Sequence, residues 1–467
     1  MESLPPVTPP SAIQAEQALL GAILRDAEAL DRARDHVVAA DFFDEVHRQI
    51  FQVMCDRRDA GDAIDRRLMS AVLGDADLGE TSLRPYLTRL ASEAVTVAGA
   101  PGYAKLIAEA SRMRSVLETA QAAAARMTDG SIHDPAAYAT HMIESLDEVA
   151  SAGLAEHARR VTLGESTARV LQRVNEALQG NAPRGVPFGL PRLDAATLGM
   201  RPGQLIVLAG RPGMGKTVAA IHIALTAARN VGAIAFFSLE MNADELAARV
   251  LSAKAYVPHE REQISYRAIE KGTDLSNRAM ERLIAADRDC ADVPLWIEQQ
   301  SGLTLSQIAA RARQMRLRAE RQGIPLAAIV IDHIGLMQPS KRYQGNRVQE
   351  MTEITGGLKG LAKELGIPVL ALSQLNREVE KRADKRPMLA DLRESGSIEQ
   401  DADLVLGLFR EAYYLERQMD RSEEEQRRFF QCQNELEIEI LKQRSGPTLR
   451  MICFCEVACN VLAEAAR

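Results

Sequence analysis

The sequence predicts an α/β fold, a largely parallel, doubly wound sheet that carries a phosphate-binding loop, with an all-α domain in front of it. Three observations predict it. From about Gly185 onward, short apolar runs alternate with helix-length segments, as stacked strand–helix units require. Early in that alternation, Gly210-Arg211-Pro212-Gly213-Met214-Gly215-Lys216-Thr217 stands between an apolar run and a second one of helical length. Before about residue 150, glycine and proline are sparse, and apolar residues recur at spacings of three and four, the mark of packed amphipathic helices.

Each element follows from its own residues. Met1–Pro10 is proline-rich and reads as a disordered N-terminus, residues 1–10. Residues 11–153 read as a helical domain, with Ala15, Ala18, Leu19, Ala22 and Ile23 on one stripe and Phe43, Val46, Ile50 and Val53 on another. Gly74, Gly79 and Pro101 mark breaks. Thr128-Asp129-Gly130-Ser131 reads as a turn, one or two further helices extend to about Ala150, and Ser151-Ala152-Gly153 reads as a hinge. Residues 154–184 form a linker region. Within it Leu163–Leu178 is a helix with Val170, Leu171, Val174 and Leu178 on one stripe and Gly180 as its stop signal. A lone amphipathic helix must bury that stripe, on its own chain or on a neighbouring subunit. Asn181–Pro191, rich in proline and glycine, reads as a connector. The α/β domain then occupies 185–467, with buried strands expected at Leu205–Leu208, Ile234–Phe237, Ala328–Ile331, Val369–Leu372, Leu404–Leu408 and Leu436–Leu441.

Size and charge bound the function. A chain of 467 residues holds more than one domain. A formal net charge of -7 excludes a globally basic nucleic-acid binder, so any DNA contact must use a local basic surface, within one chain or assembled across subunits. The sequence has no secretory or membrane-length apolar run, and its six cysteines are scattered; a reduced cytoplasmic setting is the expectation. Cys453-x-Cys455-x-x-x-Cys459 lacks paired C-x-x-C spacing and reads as small buried hydrophobes on a strand.

The chemistry starts at the glycine loop. Its pattern, G-x-x-x-x-G-K-[ST], makes Gly210, Pro212, Gly213, Gly215, Lys216 and Thr217 the nucleotide-binding set. The glycines let the backbone aim N–H groups at phosphate oxygens at the positive end of a helix. Lys216 reaches the β- and γ-phosphates, and the Thr217 hydroxyl holds Mg²⁺. Hydrolysis also needs a second metal anchor and a group for the attacking water. Ala328-Ile329-Val330-Ile331-Asp332, an apolar strand ending in a carboxylate, offers Asp332 as the anchor. Phe236-Phe237-Ser238-Leu239-Glu240 offers Glu240 as the base, its plainer role being a negative charge at the start of the next helix. Gln374, ending Leu370-Ala371-Leu372-Ser373-Gln374, is a neutral polar group suited to sensing the γ-phosphate. ATP and Mg²⁺ are therefore the expected ligands.

In this order the motifs resemble bacterial replicative DNA helicases of the DnaB type. The resemblance rests on Gly210–Thr217, Ser238-Leu239-Glu240-Met241, Ile331-Asp332, Ala371-Leu372-Ser373-Gln374-Leu375-Asn376-Arg377 and Lys442-Gln443-Arg444-Ser445-Gly446-Pro447. Its most specific part is Arg382-Ala383-Asp384-Lys385-Arg386-Pro387 followed by Asp391-Leu392-Arg393-Glu394-Ser395-Gly396-Ser397-Ile398-Glu399-Gln400-Asp401-Ala402-Asp403. Ala15–Gly21 and Asp41–Phe51 resemble the family's helical domain. The resemblance implies a RecA-like ATPase assembled as a homo-hexamer, which translocates on single-stranded DNA in the bacterial cytoplasm, off the membrane, and works with a separate primase and a helicase loader. It implies Lys216, Glu240 and Gln374 as catalytic residues, with Arg444 and Lys442 as a finger reaching a neighbour's site. It implies DNA contacts by Arg393, Glu394 and Gly396. Lys341 and Arg342, with Arg347, fit a second channel loop or a plain surface loop on charge pattern.

Two other readings compete. A RecA-like recombination or repair ATPase would lack the helical front domain and interdomain helix. A nucleotide-binding ring that scaffolds without unwinding would not need Glu240 or Arg444. The chain also departs from the family: Gly356, Gly357 and Gly360 lie within a helix, each costing up to about 1 kcal/mol of helix stability relative to alanine, Glu411–Gln433 is long and charged and reads as an extra helix, and the stretch after Pro447 is unusual.

Overall fold

The computed structural model describes residues 9–73, 82–93, 96–128, 163–179, 185–273, 275–339, 346–392, 395–418, 420–444 and 446–464, with isolated positions between 138 and 146. The expected N-terminal disorder, the hinge at 151–153, and the turn and further helices after Thr128 lie largely or wholly outside the described residues. The chain divides into two compact units, Met1–Arg169 and Val170–Arg467.

The first unit is helical, with helices Ile13–Arg25, Glu28–Ala33, Glu45–Asp59, Arg66–Leu73, Leu83–Glu93 and Ala100–Thr128. Leu19, Leu20, Ile23, Phe42, Ile50, Phe51, Met54 and Leu87 are fully buried and form its core. The second stripe differs from the sequence expectation. Asp44 caps the helix Glu45–Asp59 by accepting from the Val46 and His47 N–H groups, which leaves Phe43 outside the helix and exposed. The buried face becomes His47, Ile50, Phe51 and Met54. Burying a histidine there requires partners. The His47 Nδ1 lies 2.7 Å from Glu16, its Nε2 lies 2.5 Å from the Tyr86 hydroxyl, and the Phe43 N–H donates to Glu16 at 2.7 Å.

The interdomain helix Leu163–Leu178 is present. Its apolar stripe is solvent-exposed, with Leu171 68% and Leu178 82% accessible.

The second unit is a nine-stranded sheet flanked by helices. Its strands are β1 Leu205–Gly210, β2 Ala233–Ser238, β3 Leu295–Gln299, β4 Leu326–Asp332, β5 Val369–Gln374, β6 Leu404–Phe409, β7 Glu435–Gln443, β8 Arg450–Glu456 and β9 Val461–Glu464. Their order is β3-β2-β4-β5-β1-β6-β7-β8-β9, with β1 to β6 parallel and β7 to β9 antiparallel. All residues of β1, β2, β4 and β6 are buried, which is why each reads as an unbroken apolar run.

Two details correct the sequence expectations. Residues 185–190 are no connector: Val186 pairs with Met200, Phe188 is fully buried, and the Asp194 carboxylate accepts from the N–H groups of Phe188, Gly189 and Leu190. The segment Glu411–Gln433 forms two helices, Glu411–Glu416 and Glu423–Cys432, because Ser422 and Glu425 build a capping box that restarts the chain. As expected, the helix Arg347–Leu365 contains the three glycines, and a Cβ on Gly357 would meet the Leu305 side chain of the neighbouring helix. Cys453, Cys455 and Cys459 are buried in the sheet layer, and burial pushes their thiols up to about 12, 12 and 11. Among the described residues no helix is long and apolar enough to cross a membrane.

Candidate active site

Four parallel strands deliver their ends to one place. Strand register puts Gly210 of β1 opposite Gln374 of β5, and Ser238 of β2 opposite Asp332 of β4. This carboxyl edge of an α/β sheet is where ligands bind. After Gly210 the chain turns through Gly213 and Gly215, at φ 79° and 86°, into the helix Lys216–Asn230. The positive φ values favour glycine, and the turn leaves the first N–H groups of that helix facing the loop's concavity.

The expected residues converge there. The Thr217 hydroxyl donates to Asp332 at 3.2 Å, so the two oxygens expected to hold the metal are adjacent. The Lys216 ammonium donates to the carbonyls of Gly210 at 2.7 Å and Arg211 at 3.2 Å. Burial pushes Lys216 down to about 8, and burial, aided by the Glu240 charge, pushes Asp332 up to about 6. Each group is in its costlier charge state until a ligand of opposite sign arrives. Glu240 lies just past β2, and the Leu239 N–H donates to the Asp332 carbonyl at 2.7 Å, which seats its loop beside β4. This donor set, one ammonium, one hydroxyl, one carboxylate and a row of backbone N–H groups, fits a magnesium-bound nucleoside triphosphate.

Other expected residues stand elsewhere. β7 runs antiparallel to β6 with Gln443 opposite Leu404, and β6 runs parallel to β1 with Leu404 opposite Ile206. Arg444 therefore sits at the amino edge of the parallel strands, about 17 Å from the phosphate loop at 3.3 Å per residue along β1. There Arg444 donates to the Gln400 carbonyl at 2.6 Å and to Asp403 at 3.3 Å, and Lys442 donates to the carbonyls of Glu399 and Ala402. Both cations hold the end of the helix Ser395–Asp401, whose other end carries the exposed Gly396. Arg393, Glu394, Lys341 and Arg342 lie outside the described residues. Arg347 belongs to the first turn of a helix, where it donates to the Gly335 carbonyl at 2.8 Å.

Some neighbours of the loop escaped sequence reasoning. Arg211, 8% exposed, donates to the Leu375 carbonyl at 2.9 Å and to Glu380 at 2.7 and 2.8 Å, which ties the phosphate loop to the chain just after Gln374. Tyr413, from the paired helices after β6, packs its ring against Gly213. His333 follows Asp332 directly, and its Nε2 lies 4.0 Å from Glu240 Oε2. Only the charge and aromatic content of these positions was visible in the sequence.

Similarity to known proteins gives the family. The family model for the DnaB-like helicase C-terminal domain matches residues 185–458, and that for the N-terminal domain matches 8–109. This chain belongs to the DnaB-like helicase family. It is 35% identical to the replicative DNA helicase DnaC of Bacillus subtilis over 94% of this chain and 91% of that one. The DnaB replicative helicase of Geobacillus stearothermophilus matches at 35% identity with the same coverage. A solved DnaB-like replicative helicase, studied with its interactions with primase, aligns at TM-score 0.65 and 26% identity, covering 97% of this chain and 99% of its own. A solved ATPase domain aligns at TM-score 0.55 and 29% identity over 64% of this chain. In DnaB-family terms, the first unit contains the N-terminal domain match and the second contains the motor.

Proposed function

We propose that this chain is an ATP-driven replicative DNA helicase, a homo-hexameric ring that translocates on single-stranded DNA and separates the duplex at a replication fork. The observation that carries the reading is the convergence of Lys216, Thr217, Asp332 and Glu240 at the carboxyl edge of the sheet, in a chain whose residues 8–109 and 185–458 match the two domains of the DnaB-like family. Loop N–H groups and Lys216 bind the β- and γ-phosphates of ATP. Thr217 and Asp332 hold Mg²⁺, which when bound neutralises phosphate charge. Glu240 takes a proton from the water whose oxygen attacks the γ-phosphorus as the bond to the ADP oxygen breaks. Gln374, beside Gly210, registers whether the γ-phosphate is present, and Arg211 passes that state to the chain after β5.

The amino-edge position of Arg444 supports a role in trans. It is too far from its own phosphate loop to serve there, and a cation from the next subunit would make hydrolysis depend on ring assembly. The exposed stripe of the helix Leu163–Leu178 supports docking on that neighbour. DNA would be gripped inside the ring by Arg393, Glu394 and Gly396, with Lys341 and Arg342 adding charge; six copies of a few cations make a positive channel in an acidic protein. A separate primase and a loader complete the setting, and the solved relative studied with primase supports the first. The test is ATP turnover with and without single-stranded DNA. Turnover stimulated by DNA and abolished by Lys216→Ala is expected; turnover indifferent to both would overturn the reading.

A further inference from the structure

The carboxylate assigned as the base gets little support from its own loop. Glu240 has a side chain 62% exposed, and the neutral imidazole of His333 stands near it, with Nε2 4.0 Å from Glu240 Oε2. His333 follows Asp332 directly, so the metal anchor and this imidazole share one strand end.

The imidazole is held in a single orientation. The Gly335 N–H donates to His333 Nδ1 at 3.1 Å. A backbone N–H can only donate, so Nδ1 is the acceptor and the ring hydrogen belongs to Nε2, the nitrogen that faces Glu240. Gly335 is itself fixed from its other side, where its carbonyl accepts from Arg347 at 2.8 Å. The His333 side chain is 18% exposed, so water competes little for its donor. A Cβ on Gly335 would crowd this ring, at 2.8 Å from its Cε1, which makes glycine the residue that lets the imidazole lie flat against the turn.

We propose that His333 is a positioning residue for hydrolysis, its Nε2–H aiming the Glu240 carboxylate at the attacking water. The proposal rests on Glu240 being the base. From 4.0 Å, a small turn of the Glu240 side chain brings one carboxylate oxygen into hydrogen-bond reach of the imidazole N–H, and the other stays available for the proton of water. A glutamate with three side-chain torsions becomes a pre-aimed base, and such outer partners are worth about 10- to 100-fold in activity where they have been removed.

The test uses the full-length chain with saturating single-stranded DNA. His333→Ala is expected to lower kcat by about 10- to 100-fold with KM for ATP shifted by less than about threefold. His333→Gln, whose amide nitrogen reaches the position of Nε2, is expected to restore most of the rate. His333→Asn, whose amide oxygen can still accept from Gly335 but whose donor stops short of Glu240, is expected to behave like the alanine variant. In a Glu240→Gln background, where the base is already gone, His333→Ala is expected to cost nothing more. An unchanged kcat in His333→Ala, equal rescue by glutamine and asparagine, or an undiminished further loss in the Glu240→Gln background would each overturn the proposal. Wild-type turnover by Glu240→Gln alone would instead overturn the base assignment on which it rests.

Discussion

Removing the Arg444 guanidinium separates the two roles open to it. Among the described residues of its own subunit, the half-exposed Arg444 guanidinium pairs with Asp403 at 3.3 Å and donates to the Gln400 carbonyl. A pair exposed to that degree contributes about 1 kcal/mol or less. For a unit of this size, that lowers Tm by less than about 4 °C. If the same guanidinium reaches a neighbour's γ-phosphate, its loss costs about 10³-fold or more in kcat. The two magnitudes differ so widely that one variant decides between them. Arg444→Ala is expected to keep its fold and its ring, to lose less than about 4 °C in a thermal melt, and to lose about three orders of magnitude in DNA-stimulated turnover. Arg444→Lys is expected to recover little, because an ammonium lacks the planar fork that matches a phosphoryl group. A kcat within tenfold of the parent, or a rate loss fully matched by the unfolded fraction, would refute the trans assignment.

Other outcomes follow from the same geometry. Asp332 must lose its proton to bind metal, and its carboxyl sits raised to about 6, so apparent Mg²⁺ affinity is expected to be flat above that pH and to fall by up to about tenfold per unit below it; calorimetric titration across the range checks this. Glu16→Ala leaves His47 buried without its acceptor and the Phe43 N–H unpaired, so the helical unit is expected to lose about 3–5 kcal/mol in denaturant titration, and Glu16→Gln less. Two glycines of one helix are expected to respond with opposite signs. Gly357→Ala meets Leu305 and destabilises by about 1–3 kcal/mol, whereas Gly360→Ala meets nothing within 4 Å and stabilises by up to about 1 kcal/mol.

What was legible in the sequence tracks what local pattern can encode. β1, β2, β4 and β6 stand out because both faces are covered, so their residues form unbroken apolar runs. β3 was missed because it is a short edge strand, half exposed, whose Leu295-Trp296-Ile297-Glu298-Gln299 mixes apolar and polar residues. β9, at the opposite edge and four residues long, carries too little pattern to be read. The phosphate loop and the strand-end acids were legible because strand, turn and carboxylate are neighbours in sequence. The packing of Tyr413 on Gly213, the grip of Arg211 on Leu375, and the seat of His333 beside Glu240 were not, since each depends on which strands become neighbours in the sheet. The amino-edge position of Arg444 belongs to the same class. It became readable only once β7 was known to run against β6.

Strand separation itself tests the central claim most directly. The substrate is a forked duplex with a free single-stranded tail onto which a ring can thread, presented to the parent chain and to Glu240→Ala with ATP and Mg²⁺. The account predicts displaced strand in proportion to ATP hydrolysed by the parent, and none from the variant although it still binds nucleotide and DNA. Equal displacement by both chains, or DNA-stimulated hydrolysis by the parent with no strand displaced, would contradict it.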